Sequence, residues 1–555
     1  MIFRRRQKKG QIDPDEIFLD SVNLPQFDTQ QFEGRLERAI AKSSPYLLGV
    51  IFTLVFGIFI WKAEALQVER GEMYRARSMS NTLRQIPVFG ERGLILDRNG
   101  VELVTNDPER TYPAEEGLAH ILGYVGYPGE TDLAEQHYLS TEEYIGKEGA
   151  EKVLNSELRG VAGKKIIEVN AKGEVASENI YQPPLPGSSF KISIDSRVQK
   201  KLYEYIKGVA VDRGFEGGAG IIMDVRTGEL IALTSYPEYD ANAFTSGKDS
   251  DYISAALNDK ERPLLNRALS GLYAPGSVVK PMMALAALTE KIISPEKQIL
   301  STGQISIPNP YDKTKATVFK DWKAHGYVDM RRAIAVSSDV YFYVIGGGFQ
   351  GQAGLGISRI EKYFKMFGFG DRTGIELEGE KMGVIPNPEW KAKNFDGEAW
   401  YVGNTYHTSI GQYGLTVTPL EMVRAIAAVA NRGLLLTPTI VHREDGFTAS
   451  STKLAIDPKA FNIVHEGMRL AVTEGTAAGL NLSGIEIAAK TGTAELGASK
   501  ARVNSWVEGF FPYDDPHYAF VVVMERGVVH NTVGGVFVMR QLLDWMGVYT
   551  PEYFK

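Results

Sequence analysis

Cysteine occurs nowhere in the 555 residues, which removes disulfides, thiolate metal ligation and a cysteine nucleophile. An excess of positive charge is missing too: 61 Lys and Arg stand against 68 Asp and Glu, a formal net charge of -7. Phosphate binding demands a basic footprint, so this balance argues against nucleic acid as a partner. No Gly-x-Ser-x-Gly elbow is present, which sets aside an ordinary Ser-His-Asp hydrolase. What is present is the balance of a globular chain, 44% hydrophobic and 23% charged, long enough for two or three folded units because single cores rarely grow past about 250–300 residues.

Residues 1–44 open with Arg4, Arg5, Arg6, Lys8 and Lys9 and continue through polar sequence with Pro14 and Pro25, which reads as a tail. From Pro45 to Trp61 no charge occurs. With a polar stripe missing, this stretch reads as a membrane helix over 45–62, started by Ser44 as cap and Pro45 in the first turn. Trp61-Lys62 is no signal-peptidase site, so the anchor is retained. Basic residues flank both sides, Arg35, Arg38 and Lys42 against Lys62, Arg70, Arg75 and Arg77. The Arg4–Lys9 cluster tips the amino terminus toward the cytoplasm and the rest outside it.

Residues 63–190 mix short strands with turns such as Arg98-Asn99-Gly100 and Lys172-Gly173, the texture of an α+β spacer. Residues 191–555 carry longer apolar helices between a hairpin on either side of Arg226-Thr227-Gly228 and two closing strands near 504–511 and 518–526. An antiparallel sheet fed from both ends of one domain, with helices on its faces, follows as the α+β architecture.

Ser-x-x-Lys occurs at Ser188, Ser277, Ser294 and Ser450. The spacing matters on a helix, where it lets the amine of the lysine reach the serine hydroxyl. Only Ser277, with Lys280, follows a turn (Ala274-Pro275-Gly276) and leads a strongly apolar helix, whose first N–H groups suit an oxyanion. Ser294 reads as a helix cap before Pro295-Glu296. Ser337-Ser338-Asp339 follows an apolar segment and reads either as polar groups offered to a cleft or as a cap. Lys490-Thr491-Gly492-Thr493, placed at the end of a strand that begins in the alternating run Gly484–Ala489, offers a cation and two hydroxyls to a carboxylate.

The ordered set Ser277-x-x-Lys280, Ser337-x-Asp339, Lys490-Thr491-Gly492 resembles the signature of penicillin-recognising serine acyl-transferases. Further stretches are similar to class B penicillin-binding proteins: Glu91–Gly100, Gly149–Gly160, Pro263–Pro281, Ser409–Met422 and Glu474–Gly479. Ser-x-Asp followed by Val340-Tyr341-Phe342-Tyr343 looks like the elongation-type members, penicillin-binding protein 2. The resemblance implies the penicillin-binding serine transpeptidase fold behind an α+β pedestal and one transmembrane helix. It implies peptidoglycan D,D-transpeptidation, with stem peptides ending in D-Ala-D-Ala as donor, an amine acceptor from a neighbouring stem, and β-lactams as inhibitors. Ser277 is then the nucleophile, Lys280 the base, and Ser337 and Asp339 proton-shuttling and positioning groups. Lys490, Thr491, Gly492 and Thr493 hold the substrate carboxylate, and the N–H groups of Ser277 and Thr493 form the oxyanion hole.

No cofactor and no metal are expected. Some relatives carry zinc with a cysteine ligand near the Ser-x-Asp motif, and Asp321 and His325 lie in the comparable stretch, but without cysteine they read as a surface acid and a satisfied histidine. With no glycosyltransferase segment in the chain, the implied partners are a polytopic glycosyltransferase of the shape, elongation, division and sporulation family and other elongation-complex proteins. Gly49 and Gly57, eight apart near one face of the membrane helix, either let a partner helix approach closely or face lipid. The competing readings are a β-lactam sensor or β-lactamase of the same fold, and an idle scaffold of a wall-building complex.

Overall fold

The computed structural model describes residues 43–555 except 108, 136–138, 171–173, 309–311, 313, 444–448, 498–499 and 532. The Arg4–Lys9 cluster and the Lys172-Gly173 turn lie outside the described residues. The described residues fall into two units, one made of those up to Gln85 with Ile166–Asn179, the other of Ile86–Lys165 with Ile180–Lys555.

In the first unit, Ser44–Glu64 is an α-helix with no buried residue, continued by a π-turn at Ala65–Glu69. Its 21 residues rise about 31 Å, the thickness of a bilayer's hydrocarbon core, and the Ser44–Glu69 segment is long and apolar enough to cross a membrane once. Ser44 is the first helical residue and not the cap; Ser43 holds the cap position without a side-chain bond.

The second unit is built on a five-stranded sheet whose spatial order is Leu230–Tyr236, Gly217–Asp224, Tyr518–Val528, Arg502–Phe511, Ala488–Leu496. Every neighbouring pair is antiparallel. The sheet therefore closes the domain with strands from both of its ends, as the hydrophobic pattern predicts. The Arg98-Asn99-Gly100 turn forms as expected, with Asp97 Oδ1 accepting from Asn99 and Val101 N–H at 2.8 and 2.9 Å.

Apolar residues fall on both faces of the sheet. Val198, Leu202, Ile206 and Val209 of the Ser196–Arg213 helix recur at helical spacing and are buried with Phe520 and Val522 of the sheet and Leu542 and Leu543 of the Gly535–Tyr549 helix. Asp195 caps the first of these helices through Arg197 N–H at 3.0 Å. On the other face, Lys280–Thr289, Pro419–Ala430 and Pro458–Glu474 share a core with Trp506, Phe510 and Val521. Burying each such Leu or Ile contributes about 1.5–3 kcal/mol, and the two layers fix the sheet plane against which the motif residues are placed.

Deleting residues 1–69 is expected to leave a protein that stays in solution without detergent, whereas the full chain sediments with membranes; ultracentrifugation of the two forms checks this.

Candidate active site

Ser277 sits in a single 3-10 turn, Gly276–Val279, that runs straight into the Lys280–Thr289 helix. In 3-10 geometry residues three apart eclipse, so Ser277 and Lys280 lie on one side. The turn is clamped from two directions. Gly276 N–H donates to Gly411 O at 3.0 Å, and Trp506 Nε1 donates to Ala274 O at 3.0 Å. Ser277 is half-buried, while Lys280 is fully buried.

Lys280 Nζ uses all three of its donors away from Ser277: Asp339 Oδ1 at 2.6 Å, Ser337 O at 2.9 Å and Ser337 Oγ at 3.2 Å. In this arrangement it is paired with a carboxylate and directs none of these bonds at Ser277. Ser337 lies between the Met330–Ala335 and Asp339–Gly347 helices at φ +59°, a left-handed conformation that strains a serine by about 1–3 kcal/mol. The helix is capped by Ser338, whose hydroxyl accepts from Tyr341 N–H; Ser337 is thereby free of capping and turned toward the lysines. Burial pushes the Asp339 carboxyl up, against the Lys280 ammonium that pulls it down.

Lys490, Thr491, Gly492 and Thr493 lie inside the Ala488–Leu496 strand, not at its end. The strand starts only at Ala488, so Gly484–Ile487 is outside it: pairing with Arg502–Phe511 sets the start, not local alternation. This is an edge strand, and one row of its backbone groups is unpaired by the sheet. Lys490 is fully buried, and its Nζ donates to Ser337 Oγ at 2.9 Å and Thr491 O at 2.7 Å. Burial and then the Lys280 charge push the Lys490 amine well down. A Cβ at Gly492 would lie 2.9 Å from Pro275 O and 3.0 Å from Val278, so glycine is what lets the strand approach the Ser277 turn.

The three motifs therefore meet at Ser337 Oγ. The other Ser-x-x-Lys pairs do not join them: Ser188-Lys191 and Ser450-Lys453 run into short strands, and Ser294 caps no helix but forms a turn closed by Lys297 N–H. Asp321 is not at the surface. Its side chain is buried, Oδ2 takes Ser338 Oγ, Ser301 Oγ and Val340 N–H at 2.9, 3.2 and 3.0 Å, and His325 Nε2 lies 3.5 Å from Oδ1. Among the described residues no group of three or more His, Cys, Asp or Glu is placed to hold a metal; two side chains, one already committed to hydrogen bonds, do not fit a four-coordinate zinc. Sequence reasoning did not single out Thr476, whose hydroxyl takes a 2.6 Å bond from Thr491 Oγ1, nor Gly411, nor Glu508, which stands directly opposite Lys490. A lone acid inside the apolar run Trp506–Phe511 was the available signal for Glu508.

The family model described as penicillin binding protein transpeptidase domain matches residues 218–535, and the penicillin-binding protein dimerisation domain model matches 106–192. The chain is 32% identical to peptidoglycan D,D-transpeptidase MrdA of Haemophilus influenzae, over 75% of this chain and 66% of that protein, and so spans just under two thirds of that relative. It is 28% identical to the Escherichia coli K12 protein of the same name, over 90% and 92%. Among solved structures it is similar to Pseudomonas aeruginosa PBP2 in complex with WCK 5153 (TM-score 0.71, 31% identity, 84% and 98% covered). It is also similar to Helicobacter pylori PBP2 in complex with MreC (0.71, 26%, 85% and 99%), and to a chain of a peptidoglycan synthase complex described as coordinating polymerization and crosslinking (0.70, 25%, 91% and 97%).

Gly411 tests the clamp on the Ser277 turn. A Cβ there would fall 2.1 Å from Gly276 O, at φ +79°, whereas Gly397 has φ +83° with nothing within 4 Å. Gly397→Ala is expected to lower stability by the backbone term alone, about 1 kcal/mol, and Gly411→Ala by about 3 kcal/mol or more; thermal denaturation of both variants measures the difference.

Proposed function

The chain belongs to the penicillin-binding protein transpeptidase family, and from that premise we propose that it is a membrane-anchored peptidoglycan D,D-transpeptidase of the elongation type. The observation that carries this reading is the convergence of Lys280 and Lys490 on the single oxygen Ser337 Oγ. It sets the lysines of two motifs against the serine hydroxyl of the third, which supports reading them as base, carboxylate-binding group and relay.

In the proposed reaction Ser277 Oγ attacks the penultimate D-alanine carbonyl of a stem peptide while its proton passes to Lys280. Lys280 becomes able to accept it by first yielding a proton to Asp339, whose burial favours the protonated carboxyl. The tetrahedral oxyanion is stabilised by N–H groups of Ser277 and Thr493, one at the start of a helical turn and one on an edge strand. Collapse breaks the D-Ala-D-Ala bond, and the proton returns through Lys280 and Ser337 to the departing amine. An amine from a second stem then takes the acyl group by the same steps in reverse. Lys490, Thr491 and Thr493 hold the terminal carboxylate, and Thr476 orients Thr491.

Assembly follows the same reading. The amino terminus lies in the cytoplasm and the second unit outside the membrane, and strand polymerisation comes from a polytopic glycosyltransferase of the shape, elongation, division and sporulation family, with other elongation-complex proteins. The relatives found with MreC and in a synthase complex support partners of this kind. In the membrane helix a Cβ at Gly49 or Gly57 would meet nothing within 4 Å, which leaves that face open to a neighbouring helix. Gly57→Leu is expected to weaken co-purification with the polymerase; undiminished co-purification would remove the helix from the interface.

The acyl-enzyme is tested by incubating detergent-solubilised protein with a fluorescent penicillin and mapping the adduct by mass. A slowly decaying adduct on Ser277, absent in Ser277→Ala, is expected. Lys280→Ala is expected to slow its formation at least about a hundredfold, and Lys490→Ala about ten- to a hundredfold through loss of a charged hydrogen bond. Rapid loss of the adduct would mark a β-lactamase or sensor, and no adduct on folded protein a scaffold.

A further inference from the structure

Glu508 is a buried acid that the reaction above does not use. It lies on the Arg502–Phe511 strand between Trp506 and Phe510, on the face whose core includes Val278 and Val279 beside Ser277. The residue is fully buried, and neither carboxyl oxygen has a hydrogen-bond partner among the described residues. Its cross-strand neighbours are Lys490 on one side and Val521 on the other. Directly opposed residues of antiparallel strands stand with Cβ atoms about 4.5–5.5 Å apart on one face.

The surrounding elements bring no competing charge. The Gly276–Val279 turn has no ionisable side chain. On the Pro419–Ala430 helix, Glu421 is held by N–H groups of Thr418, Gly370 and Gly383, and Arg424 donates to Leu436 O. His465, stacked near Phe510, is bonded to Val429 O at 2.8 Å. Among the described residues Lys490 is the charged group that acts on Glu508, and behind Lys490 come Lys280 and Asp339. An ionised carboxylate without partners in such a place is strongly disfavoured, and burial accordingly drives the Glu508 carboxyl up as it drives the Lys490 amine down.

We infer that Glu508 is a positioning residue whose carboxyl, opposite Lys490 across the strand pair and without another partner among the described residues, tunes the Lys490 amine through space, so that a ligand carboxylate arriving beside Lys490, Thr491 and Thr493 meets an ammonium that Glu508 helps to hold. Glu508 gives up the proton of its O–H and Lys490 gains one as an N–H by way of solvent, since no hydrogen bond joins the two side chains. The inference rests on the reading of Lys490 as the carboxylate-binding group. Such a pair titrates as a unit, and the carboxylate left on Glu508 holds the proton on Lys490 to higher pH than Lys490 alone would keep it.

The test is the rate of Ser277 acylation by a carboxylate-bearing fluorescent penicillin, followed from about pH 6 to about pH 10, on the full chain in detergent. Wild type is compared with Glu508→Gln, Glu508→Met and Glu508→Asp, each with its thermal midpoint. In Glu508→Gln and Glu508→Met the alkaline limb is expected to move down by about one pH unit or more, making acylation about tenfold slower at alkaline pH. Glu508→Asp restores the wild-type limb, and Glu508→Met melts no lower than wild type because an unpaired buried carboxyl has been removed. An unmoved limb in either folded variant, or a rate that falls equally at every pH together with the melting temperature, overturns the inference and assigns Glu508 a packing role, leaving the acyl-enzyme reading intact. Wild type that takes no label on Ser277 overturns both.

Discussion

Two lysine amines buried against one hydroxyl oxygen set the terms for everything around them. Lys280 and Lys490 have no exposed surface, and each donates to Ser337 Oγ. Taking an ammonium out of water is opposed by several kcal/mol even after relaxation. Two in contact with the same atom are tolerable only if an anion is close or if one amine gives up its proton. The protein uses both remedies: Asp339 lies 2.6 Å from Lys280, and Lys490 is pushed toward its neutral form. The strained backbone of Ser337 is the consequence, since only with Ser338 taking over the cap can the Ser337 hydroxyl turn toward both amines.

The sheet supplies the rigidity that this arrangement requires. Lys490 is held on an edge strand that is paired along its whole length with Arg502–Phe511, and Lys280 on a helix packed into the core of the same face. Small side chains keep the two elements close. Gly492 against Pro275 is the point where one added methyl group would separate the strand from the serine turn, and Gly411 against Gly276 is where one would push the segment after the Val402–Ser409 helix away from it.

Comparison of the buried acids separates structural from reactive roles. Glu151 is fully buried too, but its oxygens take Arg92 Nε at 2.7 Å, Arg110 Nε at 2.6 Å and the Tyr112 hydroxyl at 3.2 Å. Glu525 is likewise answered by Arg267 at 2.6 Å. In both cases every charge has an immediate partner, as expected of a network that holds segments together. Glu508 has none among the described residues, and it alone faces the site across a strand. The acid left without such partners is the one that stands opposite Lys490.

The sequence by itself determined the element types and the motif residues. An uncharged run of that length is long and apolar enough to cross a bilayer, and a hairpin at one end with two strands at the other leaves few sheets to build. Ser277 and Lys280 stood out from the other three Ser-x-x-Lys pairs because a turn precedes them and a strongly apolar helix follows, which are local properties. Tertiary structure decided the rest. The strand at Lys490 begins at Ala488 and not at Gly484 because its pairing with the neighbouring strand begins there, Ala488 opposite Phe510. Asp321 is buried because Ser301 and Ser338, 20 and 17 residues away, need its oxygens. The meeting of Lys490 with Ser337, 153 residues apart, and of Lys490 with Glu508 across a strand pair, depends on register and packing, which no local pattern encodes.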